Sequence, residues 1–142
     1  MSYSQWYEQH AIKHKKIIDK LTEKGYTKEQ IIEYFVYENM AENEEEFCPL
    51  YKKGEKCHDT PYLNCYFCAC PYFRFKDEGI KKVGDKTKYS FCSVASKNGG
   101  EGIYGDAIHQ DCSKCLVPHS KKFVTKNFNP NWKEAMRLCM ID

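Results

Sequence analysis

Long apolar runs are missing from this chain of 142 residues. No stretch approaches the ~18 apolar residues that a membrane-spanning helix needs, so we expect no membrane span. The N-terminus, Met1 to Trp6, lacks a basic region, an apolar core and a small-residue cleavage site, which argues against a secretory signal. Together these absences predict a cytoplasmic protein.

Catalytic motifs are missing as well. The sequence has no glycine-rich phosphate loop, no G-x-S-x-G turn and no paired-carboxylate signature, so nothing beyond its cysteines suggests an enzyme. The formal net charge of +2 is too small to favour a nucleic-acid partner, although several lysines lie between Lys81 and Lys126. We therefore expect a protein partner rather than a nucleic acid or a membrane, and the sequence leaves the oligomeric state open.

Cysteine is missing from residues 1–47 and abundant after them, with all nine cysteines in residues 48–142. The first segment is acidic, with 6 lysines against 10 acidic residues, and the rest carries 16 basic residues against 10 acidic ones. Because cytoplasmic thiols stay reduced, a dense set of cysteines predicts a metal site rather than disulfides. A secreted disulfide protein without its signal is the alternative.

The periodicity predicts an N-terminal helical hairpin over residues 1–47. Apolar and aromatic residues recur at three- and four-residue steps over 3–24, and Gly25 is suited to end that helix. Thr27 and Gln30 form a capping box for a second helix that is expected to run to about Met40. His10 and His14 are interpreted as ordinary residues of the first helix, because no third metal ligand accompanies them.

Residues 48–122 lose this periodicity and are rich in glycine and proline, which predicts a loop-rich domain with few short strands and a metal to staple it. Residues 123–142 are predicted to form a tail with a last helix that starts at Asn129-Pro130 and carries Leu138 and Cys139. The expected fold class is therefore α plus irregular structure: a helical hairpin packed on a small metal-stapled domain.

Two C-x2-C steps dominate the cysteine pattern, Cys65 to Cys68 and Cys112 to Cys115. Such steps turn two thiolates toward one metal, as in zinc ribbons and iron–sulfur proteins. The first step is followed by Cys70-Pro71, and three thiolates so close together favour a cluster over a single zinc ion. Soft thiolate sets nevertheless suit both metals, so spacing alone leaves the choice open.

The chain resembles the cysteine-rich small domain family through three segments: Cys48-Pro49, Asn64-Cys65-Tyr66-Phe67-Cys68-Ala69-Cys70-Pro71, and Asp111-Cys112-Ser113-Lys114-Cys115-Leu116-Val117-Pro118-His119. That family occurs as short free-standing proteins and as an appendage of enzymes of cobamide biosynthesis. The resemblance covers roughly residues 48–122 and implies a metal-binding domain with an iron–sulfur cluster. Phe91-Cys92-Ser93 is similar to the free-standing branch and brings Cys92 into the set.

The resemblance implies eight metal ligands: Cys48, Cys57, Cys65, Cys68, Cys70, Cys92, Cys112 and Cys115. Eight thiolates suit two four-thiolate sites, or one site with several spare cysteines. His119 is expected to be a ligand or a hydrogen-bond donor to a ligand sulfur, and His58 and His109 are weaker candidates of the same kind. Cys139 is expected to be a buried apolar residue.

The predicted function is an iron–sulfur protein with one or two [4Fe–4S] clusters, acting in electron transfer or as a cluster-stabilised interaction module. A second interpretation is that the cluster serves the fold alone, in which case folding depends on metal. A zinc-binding adaptor is the alternative. The aromatic residues around the cysteines are interpreted as packing for a dry site rather than as a base-stacking platform.

Overall fold

A computed structural model describes residues 2–136 and 139–141. Within these residues the chain forms five α-helices and two small sheets of short strands. The helices are α1 Tyr3–Glu23, α2 Lys28–Tyr34, α3 Tyr37–Asn43, α4 Lys121–Asn127 and α5 Trp132–Ala135. The strands are β1 Phe73–Phe75, β2 Lys81–Val83, β3 Lys86–Lys88, β4 Ser90–Cys92, β5 Gly100–Tyr104 and β6 Ala107–Asp111. The fold is mixed α/β, with more strand than the sequence predicted.

The N-terminal helix is confirmed, and its boundaries follow from local chemistry. Ser2 accepts a hydrogen bond from the Gln5 amide while the Gln5 side chain accepts one from Ser2, which makes a capping box. Gly25 adopts a φ of +76°, the left-handed conformation that ends a helix at low cost. The predicted capping box of Thr27 and Gln30 is also present at the start of α2.

The second helix does not run unbroken to Met40, because its middle pairs with another segment. The Phe35 carbonyl accepts from the Cys65 amide at 2.8 Å, and the Tyr37 amide donates to the Leu63 carbonyl at 2.8 Å. Val36 and Asn64 thereby form an antiparallel bridge. These long-range bonds end α2 at Tyr34 and let α3 begin at Tyr37, and they position the cysteine-rich loop that follows.

The sheets lie in the segment that was predicted to be mainly loop. Strands β1 and β4 pair antiparallel, with Phe73 opposite Cys92. The other sheet has the order β2-β3-β6-β5, with β3 and β6 parallel and the other neighbours antiparallel. This sheet is largely exposed, but the buried Ser90 links β4 to it, because its hydroxyl accepts from the Gln110 amide at 2.7 Å.

One buried core draws residues from the helices and from the cysteine-rich loop. It includes Leu21 of α1, Phe35 between α2 and α3, Tyr66 of the loop and Trp132 of α5. His10 and His14 are buried within this core rather than placed at the surface of α1. The division at residues 47 and 122 stays a prediction, since all three segments contribute to this core.

The C-terminal helical region differs from its prediction. Asn131 rather than Asn129 caps the last helix, which ends at Ala135, and Cys139 lies after it in an extended segment. The Phe75 amide donates to the Cys139 carbonyl at 2.9 Å, so this segment extends the pairing of β1. The predicted contribution of Leu138 lies outside the described residues.

Candidate metal centre

The first cysteine-rich loop, residues 64–71, is anchored in the core by its aromatic residues. Tyr66 and Phe67 are fully buried, and the Tyr66 ring packs edge-on against Phe35, with ring centroids 4.9 Å apart. The aromatic residues around this loop, from Tyr62 to Phe75, are buried or half-buried. They form an apolar layer behind the cysteines, as predicted, and do not present a stacking platform to solvent.

The backbone of this loop changes direction between Cys68 and Cys70. The Cys68 amide donates to the Cys65 carbonyl at 3.3 Å, and the Cys70 amide donates to the Phe67 carbonyl at 2.8 Å. Ala69 and Cys70 both have positive φ, 85° and 62°. A non-glycine residue in this region costs about 1–3 kcal/mol, so two in succession mark a local conformation that the surrounding structure must hold in place.

The two C-x2-C segments are joined through Asn64 and His119. The Asn64 amide donates to the His119 carbonyl at 3.0 Å, and the His119 Nδ1 lies 3.0 Å from the Asn64 carbonyl as its donor. Burial lowers the pKa of His119, which keeps the ring neutral. His119 is thus placed as a structural link between the loops, through one of its two ring nitrogens.

The second cysteine-rich loop is a compact turn that follows β6. The Asp111 carboxylate accepts from the Ser113 amide at 2.9 Å, and the Cys115 amide donates to the Cys112 carbonyl at 3.1 Å. In this Asx turn Cys115 is buried and Cys112 is half-buried. The Ser96 hydroxyl lies 3.4 Å from the Cys115 sulfur, a contact that was not predicted from the sequence.

The two loops and β4 enclose a cavity of about 440 Å³. Its walls carry six thiols, those of Cys57, Cys68, Cys70, Cys92, Cys112 and Cys115, together with His58 and His119. The remaining walls are mainly apolar, from Tyr3, Trp6, Phe73, Val94, Val117 and Pro118. All nine cysteines are free thiols, so the donor set is soft and lies in apolar surroundings.

Cys48, Cys57, Cys65 and Cys68 form what we call the first thiol group. Burial raises the pKa of Cys68, and the nearby Cys65, Cys48 and Cys57 raise it further. Burial also raises the pKa of Cys65 to about 12, a value to which Cys57 and Cys48 contribute. Each of these thiols is therefore close enough to the others for a negative charge on one to disfavour a charge on the next.

Cys70, Cys92, Cys112 and Cys115 form the second thiol group. Burial, with the nearby Cys70, Cys115 and Cys92 thiols, raises the pKa of Cys112 to about 12. Burial raises the pKa of Cys70 to about 11 despite a hydrogen bond from the Tyr72 backbone, and Cys92 and Cys115 contribute to that rise. The pairing of β1 with β4 brings Cys92 to this group.

Cys57, His58 and His119 place three ligand atoms within 4.8 Å of one another. The His58 Nδ1 lies 3.0 Å from the Cys57 sulfur, and its Nε2 lies 2.8 Å from the Cys112 carbonyl. His58 therefore contacts both cysteine-rich loops. His109 is not part of this cluster: its Nδ1 hydrogen-bonds to the Tyr3 hydroxyl, and its ring stacks on Tyr89.

Tyr51 is a site residue that the sequence analysis missed. Its hydroxyl is buried without a hydrogen-bond partner of good geometry, yet it is close enough to Cys65 for each group to influence the pKa of the other. The Tyr51 amide donates to the Cys48 carbonyl at 3.1 Å, which turns the ring back toward the first thiol group. The turn signal Cys48-Pro49, three residues before the tyrosine, could have indicated this placement.

Cys139 belongs to neither thiol group, although its thiol lies 3.5 Å from the Cys70 backbone carbonyl. It is only 1% exposed, and its thiol donates to the Met136 carbonyl at 2.8 Å. The Arg74 guanidinium lies 3.6 Å from the sulfur. Cys139 thus packs between β1 and the chain after α5.

No protein-family model, no curated protein and no solved structure matches this chain. The resemblance to the cysteine-rich small domain family therefore stays a prediction. Within the described ranges 2–136 and 139–141, no helix combines the length and the apolar character needed to cross a membrane.

Proposed function

We propose that the chain is a cytoplasmic iron–sulfur protein that binds one or two [4Fe–4S] clusters through eight thiolates and acts in electron transfer or as a cluster-stabilised interaction module. The observation that carries the proposal is the gathering of eight free thiols from residues 48–115: six of them line one mainly apolar cavity, and Cys48 and Cys65 lie beside Cys57 and Cys68 of that lining. Cysteines spread over such a distance along the chain converge here without forming disulfides, which is the arrangement a thiolate-ligated centre requires.

The chemistry of the site fits such a cluster. Iron–sulfur clusters are held by soft thiolates and are tuned by hydrogen bonds to sulfur and by exclusion of solvent. Tyr51 supplies a buried hydroxyl that lacks a good partner beside the first thiol group. Ser96 supplies a hydroxyl beside Cys115 of the second group. Both hydroxyls are suited to donate to a ligand sulfur or to a cluster sulfide.

A zinc-binding adaptor is the second candidate, and the group of Cys57, His58 and His119 favours it. Mixed sulfur and imidazole ligands are common in structural zinc sites. However, both ring nitrogens of His58 already face polar partners, Cys57 and the Cys112 carbonyl. His119 likewise directs its Nδ1 at Asn64. These contacts argue against a mixed sulfur and imidazole zinc site, so the zinc alternative is a site of four thiolates, which metal analysis distinguishes from a cluster.

The decisive experiment is an anaerobic purification followed by iron, zinc and acid-labile sulfide analysis. We expect a brown protein with broad absorption near ~400 nm and about four or about eight iron atoms per chain, with matching sulfide. A colourless protein with stoichiometric zinc would support the adaptor instead. Cys139→Ala is the matched control, because this cysteine lies outside both thiol groups, and its metal content should equal that of the parent.

A protein partner is part of the proposal. The cavity that the thiols line is open on one side, next to the half-exposed Trp6 and the exposed Val94. A redox or enzyme partner that docks here would approach the sulfur atoms directly. Cross-linking or co-purification with and without bound metal would test whether partner binding depends on the cluster.

A further inference from the structure

We propose that the eight thiols form two separate metal centres of four thiolates each, one per thiol group, and that the chain passes from one centre to the other at Ala69. The inference rests on the proposed function, since it assumes that the thiols hold metal. The inference assigns each of the eight cysteines to one of the two centres. Neither the spacing of the motifs nor the family resemblance makes that assignment.

The backbone at Ala69 and Cys70 is the first argument. Successive residues of one regular turn direct Cys65 and Cys68 toward the same metal, as in any C-x2-C step. A single residue separates Cys68 from Cys70, and the φ values of Ala69 and Cys70 are both positive. The chain therefore reverses its local handedness between the two thiols. Such a strained conformation persists only where the surrounding structure holds it in place. A loop that gives ligands to two different sites would hold it, because Cys68 and Cys70 must then point in different directions.

The neighbours of each thiol are the second argument. The turn in which the Cys68 amide donates to the Cys65 carbonyl at 3.3 Å keeps Cys68 beside Cys65, and Cys48 and Cys57 are its other thiol neighbours. The Cys70 carbonyl instead accepts from the amide of Phe73, which lies opposite Cys92 in the β1–β4 pair, and Cys92 and Cys115 are the thiol neighbours of Cys70. Cys68 and Cys70 thus belong to different sets, although they are two residues apart.

The supporting structure of each set is the third argument. The first set lies within residues 48–68 and is held by turns, such as the one that joins the Tyr51 amide to the Cys48 carbonyl. The second set is assembled by the sheets: β1 pairs with β4, and the Tyr89 amide donates to the Ile108 carbonyl of β6 at 2.9 Å. Each set has its own framework, so each can hold a metal without the other.

Each set also has its own hydroxyl. Tyr51, 7% exposed and without a good hydrogen-bond partner, lies beside Cys65 of the first set. Ser96 lies 3.4 Å from Cys115 of the second set. His58 stands between the sets, in contact with Cys57 on one side and with the Cys112 carbonyl on the other. Two centres in these positions would be neighbours, since Cys57 and Cys68 of the first set line the same cavity as the second set.

The test compares Cys65→Ala with Cys112→Ala, one substitution in each thiol group, with Cys139→Ala as the control. Two centres predict that each of the first two variants loses about half of the bound iron and sulfide, and that the double variant loses nearly all of it. Adding Cys48→Ala to Cys65→Ala should cause no further loss. The control should keep the full content.

Two separate centres also predict that the EPR spectra of the parent and of the single variants differ. Two reduced clusters that lie close together interact magnetically, so the parent should show a broadened EPR signal. Each single variant should show the simple signal of one isolated cluster. A single shared centre predicts instead that Cys65→Ala and Cys112→Ala lose metal to the same extent as their double variant, and that result would overturn the inference.

A measurement on the unaltered chain covers the case in which a variant does not fold. Metal is removed stepwise with a chelator, and the thiols are alkylated and identified by mass spectrometry. Two centres predict that thiols become reactive in two sets of four with the membership given above. Release of all eight in one phase, or in sets that mix the groups, would overturn the inference while leaving the proposed function intact. Isolation of a chain that binds no iron or zinc would overturn both.

Discussion

Asn64 and His119 are joined in both directions: the amide of Asn64 donates to the carbonyl of His119, and the imidazole of His119 donates to the carbonyl of Asn64, each at 3.0 Å. Asn64 is fully buried. Its side chain also accepts from the Tyr66 amide at 2.9 Å and donates to the Ile32 carbonyl at 2.9 Å. One residue thus connects both cysteine-rich loops to α2.

We predict that Asn64→Ala lowers the free energy of unfolding by about 3 kcal/mol, because it leaves buried backbone groups without partners. Urea denaturation under anaerobic conditions measures the change. Asn43→Ala is the matched control: its amide donates to the Asn39 carbonyl at the surface, and we expect a change within about 0.5 kcal/mol. Equal effects of the two substitutions would contradict the role given to Asn64.

Ala69 offers a test of local strain. Glycine adopts positive φ without steric cost, so Ala69→Gly should raise stability, by about 0.5–1 kcal/mol after the entropy of the unfolded glycine is included. The control is Ala11→Gly in α1, where the same substitution should lower stability by about 1 kcal/mol. Opposite signs in thermal or urea unfolding support strain at Ala69, whereas a loss at both positions argues against it.

The core histidines predict a loss of stability in acid. Burial, with a smaller effect of Lys13, lowers the pKa of His10 from 6.5 to about 4. Burial, with a smaller effect of His10, lowers that of His14 to about 3. The unfolded chain therefore binds protons first as the pH falls, so stability is complete above about pH 6.5 and declines between pH 6.5 and 4.

The corresponding variant is His10→Phe combined with His14→Phe. Each buried histidine contributes up to about 1.4 kcal/mol of lost stability per pH unit below 6.5. The double variant should therefore show a shallower decline between pH 6.5 and 5 than the parent in the same metal state. Identical slopes would mean that other groups, such as the ligand thiols, dominate the acid response.

Tyr51 should respond differently with and without metal. In the metal-free protein its buried hydroxyl lacks a good partner, so Tyr51→Phe should stabilise the fold by about 1 kcal/mol. In the metal-loaded protein, where the hydroxyl can donate to sulfur, that gain should disappear. Tyr34→Phe is the control, since its hydroxyl donates to the carboxylate of Glu44, outside the cysteine-rich segments, and should show a metal-independent loss. A metal-independent gain for Tyr51→Phe would place its hydroxyl away from any ligand.

Metal removal should loosen one part of the chain more than another. The helix α1 packs its buried face into an aromatic core, whereas residues 48–60 and 93–99 have no helix or strand. We expect amide hydrogen exchange in these two segments to rise about tenfold or more after chelation, with much smaller changes in α1. Unchanged exchange throughout would show that the metal is not needed to order these loops.

The sequence predicts those parts of the fold whose causes are local. The predicted capping box at Thr27 bonds residues three apart, so a short pattern contains the whole interaction. The break at Phe35 has no such local signal, because its partner is Cys65, thirty residues away. The sequence predicted a few short strands but not their number or positions, since most of them are three residues long and depend on distant partners.

The candidate site was likewise predicted only in part. The eight cysteines were identified from spacing and resemblance, and the structure brings all of them to two neighbouring groups. Their assignment to groups depends on the backbone at Ala69 and Cys70, where the residue types give no hint of positive φ. His109 was weighed together with His58, but only the fold shows that it faces Tyr3 instead of the thiols.

The two ends of the described chain meet beside the second thiol group. The Ser4 hydroxyl lies 3.2 Å from the Met140 sulfur. Both ends also contact Phe75 of β1: the Tyr3 ring stacks on the Phe75 ring, and the Cys139 carbonyl accepts from the Phe75 amide. Residues 4 and 140 lie close enough to be joined by a short linker in a circularly permuted variant. Opening the exposed turn at Gly84 in that variant would place the Cys112 loop ahead of the Cys65 loop in the chain. A permuted variant with unchanged metal content would show that the order of the two motifs along the chain is not needed to build the centre.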